Sequence, residues 1–262
     1  MRRSGPQLDR HKAFIFKVLA DFSFQWRHLL GGSYNNSTFQ KLASAIIRII
    51  TLDFNVIEVT TSRQGMSGFL VWLDNLPEWN AFSGHIRRVG GVSIVISQHP
   101  QHATALIRDD YQNYIVSQAR YCSSTASEEH RTYLILTVRE VMLYRINTES
   151  ERCTEPRRLF DGSNPPSDAA MELLVKATHT KTSPTTLHQL PVELQGMILS
   201  HVSEGPIERA RLGCLLNIGS SFTWQFGGRT IEREEGCRGR TPWTPVESQI
   251  CFGKWFSGIA YK

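Results

Sequence analysis

Short runs of β-branched residues alternate with longer helical patterns over the first 150 residues, and this alternation most limits the possible folds. FNVIEVTTS (Phe54 to Ser62) and the run from Val89 to Ser97 are too short for helices, so they predict strands. Residues 98–121 then repeat apolar side chains at helical spacing, and TYLILTVREVMLYRI (Thr132 to Ile146) predicts one strand turning into another. Strands separated by helices predict a mixed α/β region over residues 1–150, with partly parallel pairing.

Three further helices are predicted in this region. Apolar side chains fall at helical spacing from Ala13 to Leu30, and the pattern ends at two glycines. A second helix begins near Ser37, which forms a capping-box pattern with Gln40. The third helix is predicted over residues 66–79.

The second half of the chain predicts three smaller parts. Residues 151–186 form a connection with a short helix from Ser167 to Ala177 and a polar linker after it. Residues 187–225 form a small helical unit. Residues 226–262 are rich in aromatic residues and β-prone, and we expect this tail to fold as a β-hairpin or cap whose aromatic side chains pack onto the helices.

Composition favours an intracellular protein without a cofactor. The 29 basic and 24 acidic residues give a net charge of +5, a mixed surface on which nucleic-acid binding is not expected. The five cysteines include no CxxC pair, so neither a disulfide framework nor a zinc ribbon is predicted. No apolar run of about 20 residues occurs, which predicts a protein of the cytoplasm or nucleus with no membrane partner.

The segment LHQLPVELQGMILSHVSEGPIERARLGC, from Leu187 to Cys214, predicts two helices. In the first helix, an apolar stripe with helical spacing contains Leu194, Met197, Ile198 and Val202. Gly205 and Pro206 end this helix and begin the next. The stripe either docks onto a partner or closes a core.

This segment resembles an F-box over residues 187–224. The residues that carry the resemblance are Leu190, Pro191, Glu193, Leu194, Ile198, Leu199, Cys214 and Trp224. The resemblance implies a three-helix unit that binds the adaptor subunit of a cullin-type ubiquitin ligase. It would do so through Leu190, Pro191, Leu194, Ile198 and Leu199, and the N-terminal region would then recognise a target.

The chain departs from the F-box pattern in two respects. The larger region precedes the motif, and Leu215 and Leu216 replace the usual basic residue and tryptophan after the cysteine. The chain is also similar to a group of fungal proteins through PVELQGMILSHVSEG and RTPWTPVESQICFG, and this similarity implies no biochemistry.

The enzymatic alternative is a degenerate core of the restriction-endonuclease type over residues 50–146. That resemblance implies that Asp53 and Glu58 hold a metal ion for phosphodiester hydrolysis. Thr60 stands where the family has a lysine, which favours an inactive relative. Alternatively, Glu58 lies on the polar face of a strand.

Other candidate sites have simpler explanations. His99 and His102 are three residues apart but have no third ligand at a recognisable spacing, so no metal site is predicted. Cys214 lies on an apolar helix face and is expected in the core. We therefore expect a non-enzymatic interaction protein, with the nuclease-like protein and a purely structural hairpin as alternatives.

Overall fold

The computed structural model describes residues 6–59, 76–121, 130–179, 184–234 and 247–262. Within these ranges the helices are α1 (Pro6–Gln25), α2 (Arg27–Gly31), α3 (Asn36–Ile50), α4 (Pro100–Tyr121), α5 (Asp168–Thr178), α6 (Val192–Val202) and α7 (Pro206–Leu216). The strands are β1 (Asn55–Val59), β2 (Ile86–Val89), β3 (Val92–Ile96), β4 (Arg131–Leu136), β5 (Glu140–Ile146), β6 (Glu151–Cys153), β7 (Arg157–Arg158), β8 (Gln225–Phe226), β9 (Arg229–Thr230), β10 (Glu247–Phe252) and β11 (Trp255–Tyr261). No helix in these ranges is long and apolar enough to cross a membrane.

The larger sheet has the strand order β2-β3-β4-β5-β6, and β7 pairs with a second part of β5. β3 and β4 are parallel, because the long helix α4 carries the chain back to the same end of the sheet. The other strand pairs in this sheet are antiparallel. The predicted mixed α/β fold class with partly parallel pairing is therefore confirmed.

The smaller sheet joins distant parts of the chain. β1 pairs with β10 in antiparallel register from Asn55 opposite Cys251, and β10 forms a hairpin with β11. The indole of Trp26 also donates a hydrogen bond to the carbonyl of Ser257, at 3.0 Å. Within the described part of the C-terminal tail, residues 247–261 thus form a hairpin that completes a sheet begun in the N-terminal region.

One apolar core connects these layers. It contains residues of α1, α3 and α5, one face of the larger sheet, and the inward side chains of β10 and β11. α3 is the most enclosed helix, with ten of its fifteen residues buried. A second cluster lies on the opposite face of the larger sheet, where α4 packs against Tyr133 and Tyr144.

Several helix boundaries differ from the sequence expectations. The predicted first helix is two helices that meet at Trp26, because the buried indole occupies the junction. α3 begins earlier than Ser37: the side chain of Asn35 accepts a hydrogen bond from the amide of Thr38, at 2.8 Å. The helix predicted over residues 66–79 lies mostly outside the described residues, and residues 76–79 are not helical.

Candidate functional site

The hairpin formed by α6 and α7 begins and ends where its sequence requires. Pro191 is the residue immediately before α6. Gly205 precedes α7, and Pro206 is its first residue, where a missing N–H costs no helical hydrogen bond. Asn217 ends α7 in the left-handed conformation, with φ 59°, which asparagine tolerates better than most residues.

Glu58 of β1 caps the N-terminus of α7. One oxygen of its carboxylate, Oε1, accepts hydrogen bonds from the amide of Ile207 at 2.9 Å and the hydroxyl of Ser248 at 2.7 Å. Gly205 itself has no capping side chain, and a Cβ at this position would overlap the Glu58 carboxyl group. Glycine at position 205 therefore makes room for a cap supplied by another element.

Burial raises the pKa of Glu58 above its ordinary value of 4.5. The hydroxyl of Ser248 and the first amides of α7 oppose this shift, because they stabilise the carboxylate. The second oxygen, Oε2, is buried and makes no well-formed hydrogen bond within the described residues. Glu58 therefore fixes α7 in place while part of its charge stays poorly solvated.

Arg10 of α1 holds the opposite end of α7. Its guanidinium donates to the carbonyls of Ile218 and Gly219 and, at 3.0 Å, to the side-chain oxygen of Asn217. A carboxylate at the N-terminus and a cation at the C-terminus both suit the helix dipole. Consequently, α7 is anchored at both ends by the N-terminal region.

α6 packs on this anchored helix through two buried side chains. Leu199 is 4% exposed, and its terminal methyl group lies where a Cβ on Gly219 would be. The side-chain amide of Gln195 donates to the carbonyls of Leu187 and Leu190, and its oxygen accepts from the amide of Gly219 at 2.7 Å. Sequence reasoning missed Gln195, although a polar residue beside an apolar stripe could have drawn attention to it.

The rest of the hairpin presents apolar side chains to solvent. Twelve large hydrophobic residues are exposed within the described ranges, and half of them lie between positions 192 and 216. They are Val192, Leu194, Met197, Val202, Leu215 and Leu216, with exposed fractions of 42–61%. We call these six residues the hairpin surface. Such a concentration of exposed apolar side chains is typical of a partner-binding site.

The five predicted adaptor-binding residues lie in different environments. Pro191 and Leu194 are exposed, and Leu190 and Ile198 are partly exposed. Leu199 is buried against the turn after α7, so it stabilises the hairpin from inside. Three residues of the predicted stripe are exposed, namely Leu194, Met197 and Val202. Leu194 and Met197 are three residues apart and lie on one side of α6.

Of the other F-box-like positions, Glu193 is exposed, whereas Cys214 lies in the core and Trp224 packs against it. Cys214 is 7% exposed, in agreement with its expected place in the core, and burial raises the pKa of its thiol to about 11. Trp224 stacks on Phe14 of α1, with 5.6 Å between ring centroids. These two residues connect the hairpin to α1.

Comparisons with known proteins identify no relative of this chain. No family model matches it, no curated protein matches it, and no solved structure matches it. The functional assignment therefore depends on the side chains themselves.

The residues of the nuclease-like alternative do not share a site. The carboxylate of Asp53 is exposed and lies 3.7 Å from the guanidinium of Arg48, whereas Glu58 is buried and caps α7. Thr60 lies outside the described residues. Within the described residues, the two carboxylates thus have no partner in common, and Glu58 on β1 caps a helix of the hairpin.

The histidine pair after β3 is also explained by local contacts. A ring nitrogen of His102 lies 3.2 Å from the hydroxyl of Ser97, and the backbone of His99 also contacts that hydroxyl. Within the described residues, no group of three or more histidine, cysteine or acidic side chains could hold a metal ion. This pair orders the start of α4.

Proposed function

We propose that the protein is a docking protein whose hairpin surface binds the adaptor subunit of a cullin-type ubiquitin ligase. The observation that carries this proposal is the exposure of Leu194 and Met197, at 44% and 57%, on a helix whose two buried side chains, Gln195 and Leu199, pack on the anchored α7 and the turn after it. The F-box-like residues supply the class of partner. The N-terminal region would then present a target to the ligase.

The anchoring of α7 favours docking over a purely structural hairpin. A structural hairpin needs only its buried side chains, such as Leu199 and Ile207. It gains nothing from exposed leucine and methionine, which cost solubility. A docking helix, in contrast, benefits from a rigid support, because less conformational freedom is lost when the partner binds.

The proposal is tested with the full-length chain, because β10 and β11 of the tail need β1 as a pairing partner. We would measure binding to a purified ligase adaptor by calorimetry for the wild type and for Leu194→Ser/Met197→Ser. Each side chain would bury about half of its surface on docking, which is worth about 1–1.5 kcal/mol. The double variant should therefore weaken binding by about 30-fold or more.

The matched control is Val116→Ser, which removes an equally exposed apolar side chain, 49% exposed, from α4. It should bind the adaptor as the wild type does. Both variants should keep the wild-type melting temperature, because neither site belongs to the core. Failure of the folded wild-type chain to bind any ligase adaptor would refute the proposed partner.

A further inference from the structure

A cavity at one end of the larger sheet is lined by basic and hydroxyl side chains. Its volume is about 280 Å³, and the lining residues are His130, Thr132, Arg145, Ser150 and Arg152. None of the described residues that line it is acidic. This volume is near the lower limit of small-molecule sites, so the cavity suits a compact group.

Strand register brings the two arginines together. Thr132 of β4 is opposite Arg145 of β5, and Arg145 is opposite Arg152 of β6. Directly opposed residues in antiparallel strands point to the same face, with Cβ atoms about 5 Å apart. Three neighbouring strands therefore place a hydroxyl and two guanidiniums in one row.

Neither arginine has an acidic partner within the described part of the chain. The guanidiniums of Arg145 and Arg152 make no hydrogen bond or ion pair there. Glu151, the residue before Arg152 on β6, points to the other face and binds Arg108 at 2.8 Å. Like charges directly opposite each other on a sheet are unfavourable. An anion between the two guanidiniums would remove this repulsion.

We propose that this cavity binds a phosphate monoester, with Arg145 and Arg152 as the charged contacts and Thr132 as a hydroxyl donor. A phosphate monoester carries a charge of about −1.5 to −2 at neutral pH, which matches two guanidiniums better than a carboxylate or a phosphodiester does. The planar guanidinium also donates two parallel hydrogen bonds to phosphate oxygens. The site is distinct from the hairpin surface and does not depend on the proposed docking.

The test uses calorimetry on the full-length chain at constant ionic strength. The probes are free O-phosphoserine and a short glycine-rich peptide that contains one phosphoserine, with the same peptide unphosphorylated as a blank. The wild type should bind at least one phosphorylated probe and should not bind the blank. Tighter binding of the peptide would identify the source as a phosphorylated protein segment, and tighter binding of free O-phosphoserine would identify a small phosphorylated molecule.

The decisive variant is Arg145→Gln/Arg152→Gln. It should weaken binding about tenfold or more without lowering the melting temperature, because neither guanidinium has a partner to lose among the described residues. The matched control is Arg88→Gln, which removes an exposed arginine from β2 of the same sheet and should leave binding unchanged. If neither phosphorylated probe binds the wild type, or if the double variant binds as tightly as the wild type, the proposal is overturned.

Discussion

Replacement of Glu58 tests whether this buried carboxylate anchors α7. Glu58→Ala removes the acceptor of two buried donors, the amide of Ile207 and the hydroxyl of Ser248. Each unsatisfied buried donor costs about 1–3 kcal/mol, and the alanine variant offsets part of this loss because it no longer buries a charged group. We therefore expect the free energy of unfolding to fall by about 2–4 kcal/mol.

Glu58→Gln should have a much smaller effect at neutral pH. Both hydrogen bonds end on Oε1, so an amide oxygen in the same place keeps them. The amide nitrogen would replace Oε2, which makes no well-formed hydrogen bond within the described residues. The glutamine variant also removes the poorly solvated charge.

The pH dependence gives an independent check. Because the folded-state pKa of Glu58 is raised, the folded state binds a proton more tightly than the unfolded chain does. The stability that this tighter proton binding contributes is fully present below the ordinary pKa of 4.5. It is lost as the pH rises through the raised pKa of the folded state. The wild type should thus gain stability relative to Glu58→Gln as the pH falls from 7 towards 5.

Urea unfolding, followed by tryptophan fluorescence at several pH values, measures these differences. The reasoning would be refuted if glutamine destabilised the protein as much as alanine at pH 7. It would also be refuted if the wild type lost stability relative to Glu58→Gln as the pH fell from 7 towards 5.

Two further predictions concern the hairpin. Gly205→Ala should lower the free energy of unfolding by about 1–3 kcal/mol, because the new Cβ overlaps the Glu58 carboxyl group. Gly196→Ala, with open space around its Cβ, should raise it by up to about 1 kcal/mol. Urea unfolding of both variants tests this, and equal effects would contradict the capping of α7 by Glu58. In the native chain, a thiol reagent followed by peptide mapping should modify exposed Cys153 before buried Cys214 and Cys251. Fast modification of Cys214 would show that α7 is not held in the core.

The sequence predicted those features that depend on local patterns. The β-branched run from residue 132 to 146 is two antiparallel strands, and the short helix expected from Ser167 to Ala177 is α5, Asp168–Thr178. Both signals involve residues a few positions apart. The alternation of strand and helix around α4 also predicted the parallel pairing.

Features that depend on distant residues could not be predicted in this way. Glu58 is 149 positions from the amide that it caps, so its strand pattern shows only a polar residue among apolar ones. The pairing of β1 with β10 also joins residues that are far apart in the sequence, so local patterns could not predict it. For the hairpin, helical spacing predicted the apolar stripe but could not separate buried Leu199 from exposed Met197, because that depends on the position of the turn after α7.

The pairing of β1 with β10 has a consequence for synthesis on the ribosome. Residues 247–252 leave the ribosome long after residues 55–59, so β1 cannot pair with β10 while the residues between them are made. An unpaired strand edge promotes aggregation, and contacts between such distant residues slow folding. The nascent chain therefore cannot complete its smaller sheet until residues 247–261 have been synthesised. Chaperones that bind exposed strands would act on residues 55–59 during that interval.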